Sequence, residues 1–235
     1  PLYSSAASDV YKRQVQQLTA SGSGDSDTVT IDVVPGPVVR YQISNISSPK
    51  DVAVPFNISI TAYDAYNNIT PVNNVLDVEL SVGDNTILPQ QITLANGTWV
   101  GPVTCYGSGQ NLTITVTDQD PDPQTGVSNP FEIRSAAYTK LLLLLEGETY
   151  TPGVAPGLPA TSGKYGSPTP VTAGDAVAVT IVACDEYYNP VRGSHPTVQI
   201  VSDHAVNYIQ NPITISTADG LSLIHISEPT RLRRI

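Results

Sequence analysis

The sequence predicts an all-β fold of tandem β-sandwiches, and three observations support this class. The 235-residue chain contains 17 glycines, 20 prolines and no methionine, and segments rich in Val, Ile and Thr separate its turn-forming residues. This composition favours short strands joined by turns over helices. Apolar and polar residues also alternate with a period of two, which is typical of half-buried strands. Finally, one such strand occurs twice together with the loop that follows it.

The clearest internal repeat is this strand with its loop. The segment AYDAYNN, from Ala62 to Asn68, recurs at 183–189 as ACDEYYN. Asp64 and Asp185 occupy the same position in the two copies. We expect both to have a turn role, because Asp side chains accept hydrogen bonds from nearby backbone N–H groups. Repetition of this kind indicates tandem domains of one architecture.

A second pair of similar segments marks where the repeats close. The segment SDTVTI at 26–31 resembles SNPFEI at 128–133, and each is soon followed by a new opening strand. Each would be the closing strand of a domain. The sequence therefore predicts a closing strand of a preceding repeat at 15–35, a complete sandwich at 36–135 and a second repeat at 136–220.

The central repeat divides into seven predicted strands. They cover 39–44, 56–63, 76–82, 91–95, 98–106, 111–118 and 129–134. Asn96-Gly97, between two alternating runs, is a strong hairpin signal because both residue types tolerate positive φ. Seven short strands with regular turns in about 100 residues predict an immunoglobulin-like sandwich. Trp99 is expected to pack in its core or against a neighbouring strand.

Several motifs of this repeat carry a resemblance to a known family. They are VPFNISITA at 54–62, Asp64 with Asn68, NGTW at 96–99, TITVTD at 113–118 and SNPF at 128–131. On these motifs the chain resembles the bacterial immunoglobulin-like tandem repeats of large secreted and cell-surface, adhesin-like proteins. The resemblance covers nearly all of 36–135 and, more weakly, 136–220. It implies an architecture and an extracellular or cell-surface location, and it implies no catalytic chemistry.

The second repeat departs from the first. Residues 147–174 hold many prolines and glycines, a composition that predicts a long loop or insertion. By analogy with the first repeat, the sequence after 212–216 lacks the last three strands, so we expect this sandwich to be truncated.

Both ends of the chain differ in character from the centre. Residues 4–14, SSAASDVYKRQ, and 221–231, LSLIHISEPTR, resemble translations of the two adapters of transposase sequencing libraries. We therefore expect 1–14 and 221–235 to be non-native and exclude them from fold reasoning.

The remaining segment, 15–220, is strongly acidic. Five of the eleven basic residues and two of the twenty-one acidic ones lie in the end segments, which leaves six bases against nineteen acids, a net charge of −13. Nucleic acid and anionic membrane surfaces are unfavourable partners for such a chain. No apolar run approaches the roughly 20 residues of a membrane span.

One acidic loop is a candidate metal site. Asp118, Asp120 and Asp122 alternate along the chain between the last two predicted strands of the central repeat. Three carboxylates so spaced can converge on Ca²⁺, which prefers oxygen ligands. The alternative is a solvated turn made rigid by Pro121 and Pro123, and the sequence leaves both open. No other cofactor is predicted.

The remaining candidate residues indicate no catalysis. His195 and His204 have neither a second ligand at metal spacing nor a nucleophile motif beside them. Cys105 and Cys184 fall in different repeats and are expected to be reduced, inert thiols. The chain contains no phosphate-binding glycine loop and no nucleophile elbow.

Three functional hypotheses follow. The first is a non-catalytic spacer whose partners are neighbouring repeats, with surface glycan or host protein bound by domains outside the fragment. The second is a set of accessory domains of a secreted polysaccharide-active or other hydrolytic enzyme. The third is direct sugar stacking by Tyr66, Tyr187 and Tyr188, with packing of these tyrosines against an adjoining domain as the alternative.

Overall fold

The computed structural model describes residues 15–22, 24–32, 34–153, 155–158, 162–172, 175–193, 197–201, 207–208 and 221–227. These residues form strands, turns and loops without any helix, so the predicted all-β class is confirmed for them, and they contain no helix of the kind that could cross a membrane. The strands are β1 (Val15–Gly22), β2 (Asp25–Asp32), β3 (Arg40–Ile43), β4 (Lys50–Asp51), β5 (Phe56–Tyr63), β6 (Val75–Leu80), β7 (Ile87–Leu88), β8 (Gln91–Thr93), β9 (Thr98–Cys105), β10 (Gly109–Leu112), β11 (Ile114–Asp118), β12 (Thr125–Val127), β13 (Phe131–Arg134), β14 (Lys140–Leu145), β15 (Glu148–Tyr150), β16 (Lys164–Gly166), β17 (Ala176–Cys184), β18 (Asn207–Tyr208) and β19 (Leu221–Ser227).

The first repeat is built from three antiparallel or mixed sheets. Their strand orders are β3-β5-β9-β7, β12-β11-β6-β8 and β10-β13-β4, the last including a parallel pair between β13 and β4. Alternate residues of each sheet turn inward and form one continuous core. Ile60, Leu76, Ile114 and Ile133 are among its most fully buried large side chains, and they come from four different strands.

The predicted hairpin in this repeat is confirmed. Asn96 and Gly97 have φ angles of 51° and 81°, and Ala95 pairs with Thr98 across the turn. A Cβ atom on Gly97 would lie 2.1 Å from the carbonyl oxygen of Thr70, so glycine is required there both for its φ and for its size.

One predicted strand is wrong in a way that has a local cause. The predicted strand at 111–118 is two strands, β10 and β11, which belong to different sheets. Asn111 has a φ of 55°, which breaks the extended run and lets the chain move from one sheet to the next. The short strands β4, β7 and β12 were not predicted, because two or three residues are too few to show a period.

Among the described residues after 135, the strands form one sheet of order β14-β17-β19-β18 and a separate hairpin, β15-β16. Its central strand β17 buries side chains on both faces toward its end. Val179, Ile181 and Ala183 belong to one core cluster, and Val182 and Cys184 belong to another. The hairpin lies inside the predicted insertion at 147–174, which is therefore not loop throughout.

Part of the predicted adapter-derived tail lies in this sheet. Leu221–Ser227 pairs antiparallel with Ala176–Val182 of β17 and with β18. Strand pairing does not test where a sequence comes from. The non-native origin of 221–235 and the truncation of the repeat therefore stay predictions. Residues 1–14 lie outside the described residues.

Candidate functional site: the junction between repeats

The loop at 64–68 is organised around one buried carboxylate. Asp64 is 2% exposed, and its Oδ1 accepts hydrogen bonds from the backbone N–H groups of Tyr66 (2.9 Å) and Asn68 (2.8 Å). The backbone N–H of Asp64 donates to the carbonyl oxygen of Asn68 at 3.0 Å. Asn67 completes the turn with a φ of 64°. The predicted turn role of Asp64 is confirmed.

The loop at 185–189 repeats this geometry. Oδ1 of Asp185 accepts from the N–H groups of Tyr187 and Asn189, both at 2.9 Å. The backbone N–H of Asp185 donates to the carbonyl oxygen of Asn189 at 3.0 Å, and Tyr188 has a φ of 63°. We call residues 64–68 and 185–189 the first and second Asp–Asn loops. The sequence repeat therefore encodes one loop structure twice.

Each aspartate also holds the segment that opens its own repeat. Oδ2 of Asp64 accepts from the N–H of Gly36 at 2.9 Å, and Oδ2 of Asp185 accepts from the N–H of Ala136 at 3.0 Å. Gly36 follows β2, and Ala136 follows β13. In each copy the carboxylate therefore fixes the start of the segment that leads from this strand to the next one. Sequence reasoning missed this role, because the bonds join residues 28 and 49 positions apart.

These hydrogen bonds set the ionisation of Asp64. Burial acts to raise the pKa of its carboxyl, but hydrogen bonds from the Asn68 side chain and from the backbone of Gly36, Asn68 and Tyr66 outweigh burial and lower the pKa to about 2. The loop therefore contains a carboxylate that is charged at neutral pH and satisfied by N–H donors.

The side chain of Asn189 joins the two repeats. Its Nδ2 donates to the carbonyl oxygen of Tyr106 at 2.7 Å, and its Oδ1 accepts from the backbone N–H of Ser108 at 2.9 Å. Tyr106 and Ser108 lie in the loop between β9 and β10 of the first repeat. The same Nδ2 also donates to Oδ2 of Asp185 at 3.0 Å. One fully buried amide thus ties the second Asp–Asn loop to the backbone of the preceding repeat.

An aromatic pair lies beside this amide. The rings of Tyr106 and Tyr187 are 5.1 Å apart between centroids, with an interplanar angle of 66°. Tyr187 packs against the core of the first repeat although it belongs to the second. Burial, followed by a hydrogen bond with Glu186, raises the pKa of Tyr187. Edge-to-face pairs of this kind stabilise contacts beyond simple burial of area.

The insertion of the second repeat makes a further contact with the first. Ala155 is 1% exposed, and its N–H donates to the carbonyl oxygen of Asn85 at 3.3 Å. A Cβ on Gly153, which has a φ of 78°, would lie 2.5 Å from Cα of Gly107. The backbones therefore approach so closely that only glycine fits. Contacts from both the loop and the insertion define the junction as the candidate functional site.

The tyrosines of the two loops differ in environment. The ring of Tyr187 packs against the ring of Tyr106. The centroid of the Tyr188 ring lies 4.0 Å from Nζ of Lys140. Tyr66 is 66% exposed. Packing against an adjoining domain is therefore the observed role of Tyr187.

In the predicted acidic site, Asp118 is buried and accepts hydrogen bonds that close a turn. Asp118 is 3% exposed, and its Oδ2 accepts a hydrogen bond from the Tyr41 hydroxyl at 2.7 Å. Its Oδ1 accepts from the backbone N–H groups of Asp120 (3.3 Å) and Gln124 (3.0 Å), which closes the turn. Burial and the bond to Asp118 raise the pKa of Tyr41. Asp122 is exposed.

Within the part of the chain that the structure describes, no group of three His, Cys, Asp or Glu side chains is placed to hold a metal ion. Asp118 is engaged as the hydrogen-bond acceptor of a turn, while Asp120 accepts from Nδ2 of Asn74 at 3.4 Å. Calcium binding by Asp118, Asp120 and Asp122 stays a prediction.

The other residues singled out from the sequence either pack in a core or lie outside the described residues. Trp99 packs against the first core, as predicted. Cys105 and Cys184 are buried free thiols, and burial raises their pKa to about 12 and about 11, which makes thiolate chemistry unfavourable at neutral pH. His195 and His204 lie outside the described residues.

Comparison with known proteins gives only distant similarities. No protein-family model and no curated protein matches the chain. Among solved structures, the chain is similar to FdeC, an Escherichia coli adhesin, with a TM-score of 0.37 and 14% identity over 88% of this chain. It spans 60% of the length of that adhesin chain.

The chain is also similar to domains 5–6 of the S-layer protein SbsC, with a TM-score of 0.28 and 14% identity, covering 85% of this chain and 86% of the other. A longer SbsC structure, domains 4–9, gives a TM-score of 0.31 and 14% identity, covering 89% of this chain and 29% of that one.

Proposed function

We propose that this chain is a non-catalytic structural segment of a large bacterial surface or secreted protein, in which immunoglobulin-like repeats act as a spacer. The repeats hold a distal adhesive or catalytic domain at a distance from the cell. The immediate partners are the neighbouring repeats of the same polypeptide. Any surface glycan or host protein is bound by domains outside this segment.

The observation that carries this proposal is the Asn189 amide. It donates to one backbone group of the preceding repeat and accepts from another, while its own loop is fixed by Asp185. Two bonds to one side chain determine orientation as well as contact. A spacer requires this property, because only a junction of fixed angle transmits the position of one end to the other.

Three further features support a fixed junction. The Tyr106–Tyr187 pair adds an aromatic contact between the repeats. The backbone N–H of Ala155, in the insertion, adds a hydrogen bond to the carbonyl oxygen of Asn85. The linker itself is held through Ala136 by Asp185. Flexible linkers between domains are usually polar and make few contacts, whereas here Ala136 of the linker is hydrogen-bonded to the buried Asp185.

Small-angle X-ray scattering of the chain tests the proposal. We expect the profile to fit one fixed arrangement of the two repeats across a range of salt concentrations. Tyr187→Ala should widen the range of inter-repeat arrangements needed to fit the profile. Tyr165→Ala, at an exposed tyrosine of the same repeat, should not widen it. A wild-type profile that requires a wide range of inter-repeat angles would contradict a spacer function.

A further inference from the structure

The first Asp–Asn loop has the same residues as the second at its key positions. Tyr66 corresponds to Tyr187, and Asn68 corresponds to Asn189. Nδ2 of Asn68 donates to Oδ2 of Asp64 at 2.9 Å, as Nδ2 of Asn189 does to Asp185 at 3.0 Å. The two amides are therefore held by the same internal bond.

The two loops differ in their contacts and in the exposure of their tyrosines. The second contacts the β9–β10 loop of the repeat before it. In the first, Tyr66 exposes 66% of its surface, although its counterpart Tyr187 packs against a neighbouring core. Tyr66 is thus an exposed aromatic side chain at a position whose counterpart is half-buried against a neighbouring core, and this difference points to a contact surface at the first loop.

A separate observation indicates what covers it. In β2, Val29 is 56% exposed and Ile31 is 44% exposed. The matching residues of the first repeat, Phe131 and Ile133, are both 2% exposed within their sandwich. The β1–β2 hairpin thus exposes two residues whose counterparts in β13 face inward. These residues fit the core of another repeat placed immediately before Gly36.

We propose that the first Asp–Asn loop is the docking site for a preceding repeat of the same kind. The Asn68 amide bonds a backbone C=O and N–H pair in that repeat, at the positions that Tyr106 and Ser108 occupy here. The Tyr66 ring packs against the residue in the place of Tyr106. This inference rests on the proposed spacer function and extends the same junction to a second site, so that the array has one repeated geometry.

A tandem duplication provides the test. A second copy of 36–135 is inserted directly before Gly36 of the full chain, so that the copy's β9–β10 loop can reach Asn68. Spin labels are placed at Val100→Cys in both copies, because Val100 is 72% exposed. The buried thiols of Cys105 and Cys184 have raised pKa values and resist labelling. Pulsed dipolar spectroscopy then gives the width of the distance distribution across the new junction.

We expect a narrow distribution, broadened at least twofold by Tyr66→Ala and by Asn68→Ala in the downstream copy. Tyr66→Ala keeps the test valid if the buried Asn68 variant fails to fold, and both variants are checked for folding in the unduplicated chain. A broad distribution before mutation, or a narrow one that neither variant changes, would overturn the docking site.

The existing junction serves as the internal reference, measured in the unduplicated chain with labels at Val100→Cys and Tyr165→Cys. If it is narrow while the new junction is broad, the spacer function stands and the docking site is wrong. If both are broad, the proposed function fails as well.

Discussion

Nδ2 of Asn189 lies 2.7 Å from the carbonyl oxygen of Tyr106, although the two residues belong to different repeats and are 83 positions apart. Opening the junction would break this bond and the one from Ser108, each worth about 0.5–1.5 kcal/mol net. Separating the Tyr106–Tyr187 pair would cost roughly 0.5–1.5 kcal/mol more. Together these terms are large enough to keep one orientation dominant.

Acid should weaken the first Asp–Asn loop. The pKa of Asp64 in the folded chain is about 2, below its ordinary value of 3.8. Because the folded value is depressed, its contribution to stability is present above about pH 4 and is lost as pH falls toward 2. We expect the urea midpoint of wild type to fall across this window. Asp64→Asn should lower the midpoint at pH 7 and flatten this part of the curve, and an unchanged slope in the variant would refute the assignment.

Removing the Tyr41 hydroxyl should destabilise the first repeat. Tyr41→Phe deletes the 2.7 Å bond to Asp118 and leaves a buried carboxylate oxygen without that donor. Such a loss typically costs about 1–3 kcal/mol in the free energy of unfolding. Chemical denaturation measures it, with Tyr165→Phe as a control at a 58% exposed tyrosine. Equal midpoints for the two variants would show that the Tyr41–Asp118 bond contributes little.

The calcium hypothesis makes a separate prediction for Asp118, Asp120 and Asp122. If these carboxylates bind Ca²⁺ in the folded state, millimolar calcium should raise the melting midpoint relative to chelator. At a hundredfold excess over Kd, the added stability is about 2.7 kcal/mol. Asp120→Asn, which removes one carboxylate while retaining a short polar side chain, should abolish the rise. No rise in wild type, or the same rise in the variant, would leave the segment as an acidic turn.

Local features of this chain were predictable from sequence, and long-range ones were not. Strand β5 has the bounds that the alternation at 56–63 predicts, and the Asn96-Gly97 turn follows from backbone preference. The turn role of Asp64 depends on donors two and four residues away. Each of these features depends on residues within one element or one loop, so the local sequence pattern predicts it.

The junction depends instead on pairs that the sequence does not relate. Asn189 meets Ser108 only because two folded repeats place their loops together. Likewise, the buried Ala155 lies in a segment whose composition predicts only a loop. The repetition of Asn68 at Asn189 was the available signal, since an amide kept at one place in a loop can have a partner outside it.

The most direct test of the spacer account is the width of the inter-repeat distance distribution in the unduplicated chain. Labels at Val100→Cys and Tyr165→Cys span the junction between exposed sites of the two repeats. We predict a narrow distribution that Asn189→Ala broadens. Asn68→Ala, which removes the same intraloop bond without touching this junction, should leave it narrow. A distribution that is broad in wild type, or that both substitutions affect equally, would contradict the claim that the Asn189 amide fixes the two repeats.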